Sequence, residues 1–446
     1  MALKARSVVV NAVEIDGNGW KRTSALMFTL VSAAYFITVF QRYAIGVVTE
    51  ELSRELNIGT IELGLMSSAY FIACAIAQPL VGLLTDSFSP LIIVAGCLGL
   101  GALGTWVFAS AQSITIAFLG RIMIGAGLSG VFVPSVKAIG IAYGEDRFAS
   151  ANGAFIAIGN AGTVFGTAIV VWLISLVGWR NSFSTVGVAL VLLAILCFLV
   201  GRVSNDSKSK VPKNVPIEGR SSVTGTLKER IVIFFRDWNL WMVNIYMFAR
   251  FGSQATFQGL WGIPYVMKIY EVSREKAAVS VMMIGFGYIV SSPIVGYITD
   301  MLTRKTGDAF GTKRVILAIT TGIYALTWLP LTAMPGKFSI GMLNIFLFMM
   351  GVGASSGGLA FAIVNDLYHP KMVGQAMSIA NIMSIIGAAA VPPAVGILIQ
   401  KSTDMGCDLV STYGYSLWPC LLTGVISWIS MVFLSHRRAI QENGCK

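Results

Sequence analysis

Twelve apolar runs, each long enough to cross a bilayer, follow one another along nearly the whole chain. They lie at about 25–50, 61–84, 91–110, 114–139, 150–174, 182–202, 238–264, 277–299, 314–334, 338–364, 375–400 and 414–435. A spanning helix needs about 20 mostly apolar residues. With 446 residues, 55% hydrophobic and only 12% charged, the chain has no room beside these runs for a soluble core. The sequence therefore predicts an all-α integral membrane protein of twelve transmembrane helices.

Basic residues set the orientation, because Lys and Arg gather in cytoplasmic loops. With both ends of the chain inside, the cytoplasmic segments hold 21 of them, the external loops 7 and the spans 4, namely Arg42, Arg121, Lys137 and Arg250. This asymmetry explains most of the net charge of +11 without a nucleic-acid partner. Both termini are predicted in the cytoplasm, and the membrane is predicted to be a plasma membrane, the inner one in a bacterium. The first 20 residues contain Glu14, Asp16 and Asn18 and do not resemble a cleaved signal peptide. Of six cysteines, four fall in apolar runs, so no disulfide framework follows.

Between Arg202 and Arg236 the chain turns polar and basic and is broken by Pro212 and Pro216. This segment reads as a linker that divides the runs six and six. The predicted organisation is a tail at 1–23, a first bundle at 24–202, a cytoplasmic linker at 203–236, a second bundle at 237–435 and a tail at 436–446. The halves share weak internal similarity of the kind seen in transporter repeats. The segment GLLTD at 82–86 is echoed by GYITD at 296–300, an offset of 214, while Arg42 and Arg250 differ by 208 and Gly162 and Gly387 by 225.

Arg42 and Arg250 lie inside apolar runs, where a charge costs several kcal/mol unless it faces a protein-lined cavity. Tyr35 and Thr38 share a helical face with Arg42; Tyr246, Gln254, Phe257, Gln258 and Trp261 share one with Arg250. Apart from Glu50, Glu62, Asp86, Asp300 and Asp366 at the ends of the runs, the apolar segments hold no carboxylate. An arginine fork suits carboxylate or phosphate oxygens bidentately, so an anionic solute would supply the missing countercharge. Arg42, Arg250, Tyr35, Tyr246, Gln254, Gln258 and Trp261 are thus the candidate substrate-binding residues.

The segment GLLTDSFSP at 82–90 resembles the loop 2–3 motif of the major facilitator superfamily through Gly82, Leu84 and Asp86, with Ser87 and Ser89 replacing an arginine and a glycine of the usual pattern. GRIMIGAG at 120–127 resembles the fourth-helix motif of the same superfamily through Arg121 and Gly125. The resemblance implies two pseudo-symmetric six-helix bundles that rock about a central site. It also implies gating by Asp86 and Asp300, with Arg304 and Lys305 as partners of Asp300, and a packing, gating or proton-handling role for Arg121. An arginine at the place of Arg42 is similar to that of anion:cation symporters, and the paired arginines are similar to those of organophosphate antiporters.

These readings converge on a secondary active transporter for a small organic anion, a carboxylate or a phosphorylated metabolite, coupled by proton symport or by anion exchange and functional as a monomer. The alternatives are an efflux antiporter for a hydrophobic or cationic compound, or a transporter-like sensor. No motif for ATP hydrolysis or covalent catalysis is present, so an enzyme is not predicted. His369 and His436 stand alone at helix ends, and neither a metal nor another cofactor is expected.

Overall fold

The computed structural model describes residues 17–208, 236–368 and 370–435. The tails at 1–16 and 436–446, most of the linker (209–235) and both histidines lie outside the described residues. No strand occurs among the described residues.

Ten segments are long and apolar enough to cross a membrane. The first four are α1 (Thr23–Val47), α2 (Thr60–Thr85), α3 (Pro90–Ala109) and α4 (Ile114–Gly144). The fifth, Ser150–Arg202, has 53 residues, about twice what one crossing needs. It breaks at Gly178, whose φ of 75° is open only to a residue without a β-carbon, and so forms α5 (150–177) and α6 (179–202). Helix α7 runs from Trp238 to Tyr270 in three pieces; Asn244, Arg250, Gln254 and Gln258 make it more polar than the ten. There follow α8 (Arg274–Thr306), α9 (Ala309–Ala333), α10 (Ile340–Leu367), α11 (Met372–Asp404) and α12 (Leu409–Val432). Twelve crossings result, in agreement with the apolar runs. Helix α6 continues through Lys208, so the helical part of the first bundle extends past residue 202.

Side chains cap these helices where the chain turns. Ser113 accepts from the Ile116 amide at the start of α4, Asp308 from Gly311 at α9, Ser339 from Met342 at α10 and Asp408 from Ser411 at α12. Each bond satisfies one of the free amides of a first turn.

Glycines reveal the internal symmetry. A β-carbon at Gly125 of α4 would overlap the Tyr70 carbonyl of α2, and one at Gly351 of α10 would overlap the Ile284 carbonyl of α8. Gly127 meets α3 at Gly101, and Gly353 meets α9 at Tyr324. The same holds for the innermost helices: Gly162 of α5 sits on the Phe36 carbonyl of α1, and Gly387 of α11 on the Phe248 carbonyl of α7. Bare backbone lets helices cross closely enough for dispersion to hold them where no hydrophobic gain exists between helix and lipid.

The two bundles are in close backbone contact near the face opposite the chain ends. There a β-carbon at Gly46 would come 2.7 Å from the Gly259 carbonyl, and one at Gly64 would come 2.7 Å from Pro393 Cα. The Thr60 hydroxyl donates to the Gly396 carbonyl at 2.8 Å, and Ser68 donates to the Ala389 carbonyl. Arg274 of the second bundle pairs with Glu51 of the first at 2.5 Å and with Glu50 at 3.8 Å. Toward the face of the chain ends, one amide pair, Asn381 with Gln78 at 3.3 Å, continues the α2–α11 seam. Among the described residues no ion pair joins the bundles on that face. The structure is thus a form clamped shut on the face opposite the chain ends.

Candidate functional site

Between the bundles lies a cavity of about 80 Å³ lined by α1, α5, α7 and α8. Tyr35, Val39, Arg42 and Tyr43 come from α1, Asn160 and Thr163 from α5, Arg250, Phe251, Gln254 and Gln258 from α7, and Ile284, Gly285, Tyr288 and Ile289 from α8. The arginines of both bundles therefore face one space. No carboxylate is among the lining residues.

The surroundings of the two guanidiniums differ. Arg42 lies among the phenols of Tyr35, Tyr43 and Tyr70, and its Nε has no hydrogen-bond partner. Arg250 is 5% exposed, and its Nη2 donates to the Ala354 carbonyl at 2.6 Å while Nε is unpartnered. Tyr324 supports the backbone there, its hydroxyl donating to the Arg250 carbonyl at 3.4 Å and bonding Ser253 at 2.8 Å. A cation kept from water without its full set of acceptors raises the local positive potential, which an entering anion relieves.

Gln254 Nε2 donates to Gln258 Oε1 at 3.0 Å, leaving Gln254 Oε1 unpaired. Gln254 precedes a π-turn at Phe257–Trp261 and Gln258 lies within it, and Thr163 lies in a second π-turn, Gly162–Gly166, across the cavity. Such turns insert one residue into the helical ladder and gather at functional sites. Tyr35 is held by a stacked contact with Phe155 at 4.7 Å and by Gly159, whose lack of a side chain makes the space for its ring.

Five of the seven residues proposed from sequence are gathered here: Arg42, Arg250, Tyr35, Gln254 and Gln258. Tyr246 and Trp261 are not. Tyr246 is fully buried inside the second bundle beside Thr321 and Ser356. Trp261 ends the π-turn, where the extra residue rotates the helix, and its Nε1 donates to the Pro392 carbonyl of α11 at 3.3 Å. Sequence reasoning missed Tyr43, Asn160, Thr163, Phe251 and Tyr288; of these only Asn160, an amide in an apolar run, carried a signal.

The two arginines are also not equivalent in the repeat. Phe36 and Phe248 make the same carbonyl contact with α5 and α11, and Phe40 meets Gly166 as Gly252 meets Val391, so the α1-to-α7 offset is 212. Arg42 then corresponds to Gln254, and Arg250 to Thr38. The offset of 208 paired residue types rather than positions, and the guanidiniums start from Cα atoms about one helical turn, roughly 6 Å, apart in depth.

The proposed gating residues sit as follows. Asp300 and Arg304 are both exposed near the end of α8, with no ion pair between them or to Lys305. Asp86 lies in helix, but its side chain is outside the described residues. Arg121 is not at either face. It is fully buried within the first bundle, where Nη1 donates to the Gln41 carbonyl at 3.2 Å and its guanidinium stands 4.9 Å from the Tyr70 ring. Tyr70 thus lies between Arg121 and Arg42. Lys137 donates to the Thr85 carbonyl at the end of α2.

This arrangement of helices and buried cations is that of a solute carrier, and the comparisons agree. The chain belongs to the Major Facilitator Superfamily, whose profile matches residues 31–307 and again 263–443. It is 24% identical to the gentisate transporter of Corynebacterium glutamicum over 98% of this chain and 95% of that one. It is likewise 24% identical to the probable L-galactonate transporter of Escherichia coli, covering 87% and 86% of the two chains. A solved structure of a bacterial homolog to the human lysosomal transporter Spinster superposes with a TM-score of 0.68 at 17% identity, covering 91% of this chain and 95% of that one. The protein is an integral multi-pass membrane transporter.

Proposed function

We propose that the protein carries a small organic anion across the membrane by alternating access, binding it in the cavity between Arg42 and Arg250. One observation carries this reading. Guanidiniums from opposite bundles line a single space with amides and phenols and no carboxylate. A monocarboxylate or a phosphorylated metabolite has the oxygens to accept from both forks. The named substrates of the two relatives, gentisate and L-galactonate, are such anions. Efflux of a cation is disfavoured, since a cation would meet two positive groups.

The positive-inside bias supports cytoplasmic termini; in a plasma membrane so oriented, the clamped face is the external one and the described form opens inward. Asp300, and with it Asp86, would latch the cytoplasmic face in the opposite form. Glu62, at the outer end of α2, accepts from the Gly59 amide at 2.9 Å as part of the cap of that helix. Coupling by anion exchange, or by a proton carried on the solute, fits a cavity without carboxylates. The monomer holds the whole site.

Purified protein in sealed vesicles tests the reading against a transporter-like sensor. Gentisate or L-galactonate inside should drive uptake of the labelled anion, and the same anions should raise the melting temperature by mass action. If only cations or neutral sugars shift melting, or no anion crosses, the reading fails.

A further inference from the structure

Arg250 stands at a break in a neighbouring helix. Helix α10 is interrupted at Ser355 and Ser356, so that Ala354 ends one segment and Gly357 begins the next. Carbonyls at a helix end lose their intrahelical partners, and the end carries partial negative charge. Arg250 supplies a cation to that end through Nη2 on the Ala354 carbonyl, 2.6 Å away. Gly357 makes this possible: a β-carbon there would lie 2.9 Å from Arg250 Nη1. The same guanidinium lines the cavity.

We propose that the Arg250 guanidinium serves two acceptors in turn, the Ala354 carbonyl at the break in α10 and the bound anion, so that binding in the cavity loosens the second segment of α10. This rests on the anion reading of the cavity and adds to it a route from ligand to helix. A charge-assisted bond to an anionic oxygen is stronger than one to a neutral carbonyl, so the anion draws the guanidinium away. The break then loses its cation, and Gly357–Leu367 gains freedom relative to Ile340–Ala354. That second segment ends at the face of the chain ends, where Asp366 pairs with Lys313 of α9 at 2.6 Å. Arg42 interacts with the phenols of Tyr43 and Tyr70 rather than with a helix end, so the two arginines divide the work: Arg42 holds the anion, and Arg250 reports it to α10.

Hydrogen–deuterium exchange of the full-length protein in nanodiscs, read on peptides covering 352–367, tests the proposal. Without any anion, Gly357→Ala should displace the guanidinium and speed exchange there by roughly threefold to tenfold, and Arg250→Gln should do the same. Sodium gentisate or sodium L-galactonate, at concentrations that raise the melting temperature, should speed exchange in the wild type and add nothing in Arg250→Gln. Unchanged exchange in both variants overturns the proposal. So does an anion that raises the melting temperature while α10 exchange stays the same or slows, an outcome that leaves the anion reading intact. If neither salt shifts melting or exchange, the anion reading falls and the switch falls with it.

Discussion

Gly159 and Tyr35 touch across the α5–α1 interface with no space for a β-carbon between them. The ring of Tyr35 borders the cavity in the position that this contact permits. A single glycine on α5 therefore sets the place of a lining residue on α1. Valine at 159 would push the ring toward the arginines, because a side chain turns more readily than two packed helices part. Overpacking of this kind costs about 1–3 kcal/mol. Gly159→Val should thus lower the melting temperature by several degrees and abolish anion-induced stabilisation; a variant that is still stabilised by the anion would show that Tyr35 does not shape the site.

Exchanging either cavity arginine for lysine keeps the charge and loses the planar fork. Loss of a charged hydrogen bond removes roughly 1.5–3 kcal/mol, about 10–150-fold in affinity. Arg42→Lys and Arg250→Lys should each weaken binding and uptake by that order while the protein inserts and purifies normally. On the proposed reading both contact one ligand, so the double variant should be non-additive. Binding at wild-type strength in both single variants would make the arginines structural.

The bond of Arg274 to Glu51 holds the clamped face. Both side chains are partly buried, and a pair of this kind contributes about 1 kcal/mol. Arg274→Gln should raise the accessibility of cysteines placed near Gly46 and Gly259 to an impermeant thiol reagent added from that side, by about fivefold. Labelling equal to that of the parent would show that the close glycine contacts alone hold the face.

Asp300 is unpaired in the described form. A latch for the opposite form would be open here, so Asp300→Asn should leave the folded protein intact and shift labelling further toward the form clamped as described. An unchanged pattern from both sides would remove Asp300 from the gate.

Much of this architecture was readable from the chain because a bilayer leaves few options. Apolar runs gave the crossings, and charges without partners gave Arg42 and Arg250. Spacing on one helix pointed to Tyr35 and Gln254, which share a face with their arginines before any turn disturbs the ladder, and to Gln258, which reaches the cavity from inside the π-turn. Spacing failed for Trp261, since the π-turn at Phe257–Trp261 adds a residue that no helical wheel anticipates. It failed for Tyr246 because four residues of α-helix rotate by about 40°, enough to carry that side chain into the second bundle. Thr163 and Tyr288 were illegible for another reason. Nothing in their local sequence sets them apart, and only the approach of α5 and α8 brings them to the cavity. The repeat was visible, but matching arginine to arginine put α1 and α7 out of register by four residues, which the contacts of Gly162 and Gly387 correct.

The seam at the clamped face is largely backbone against backbone: Gly46 on Gly259, Gly64 on Pro393. Surfaces without protruding side chains have no teeth to disengage, so the bundles can roll apart without waiting for rotamers to change. Speed of turnover would then be governed by rewetting of the seam, by the hydroxyl bonds of Thr60 and Ser68 and by the Arg274 tether rather than by repacking. The smoothness has a cost in tolerance, for one added methyl at Gly46 or Gly64 becomes a wedge. Such a wedge offers a direct means of holding the transporter in the opposite form.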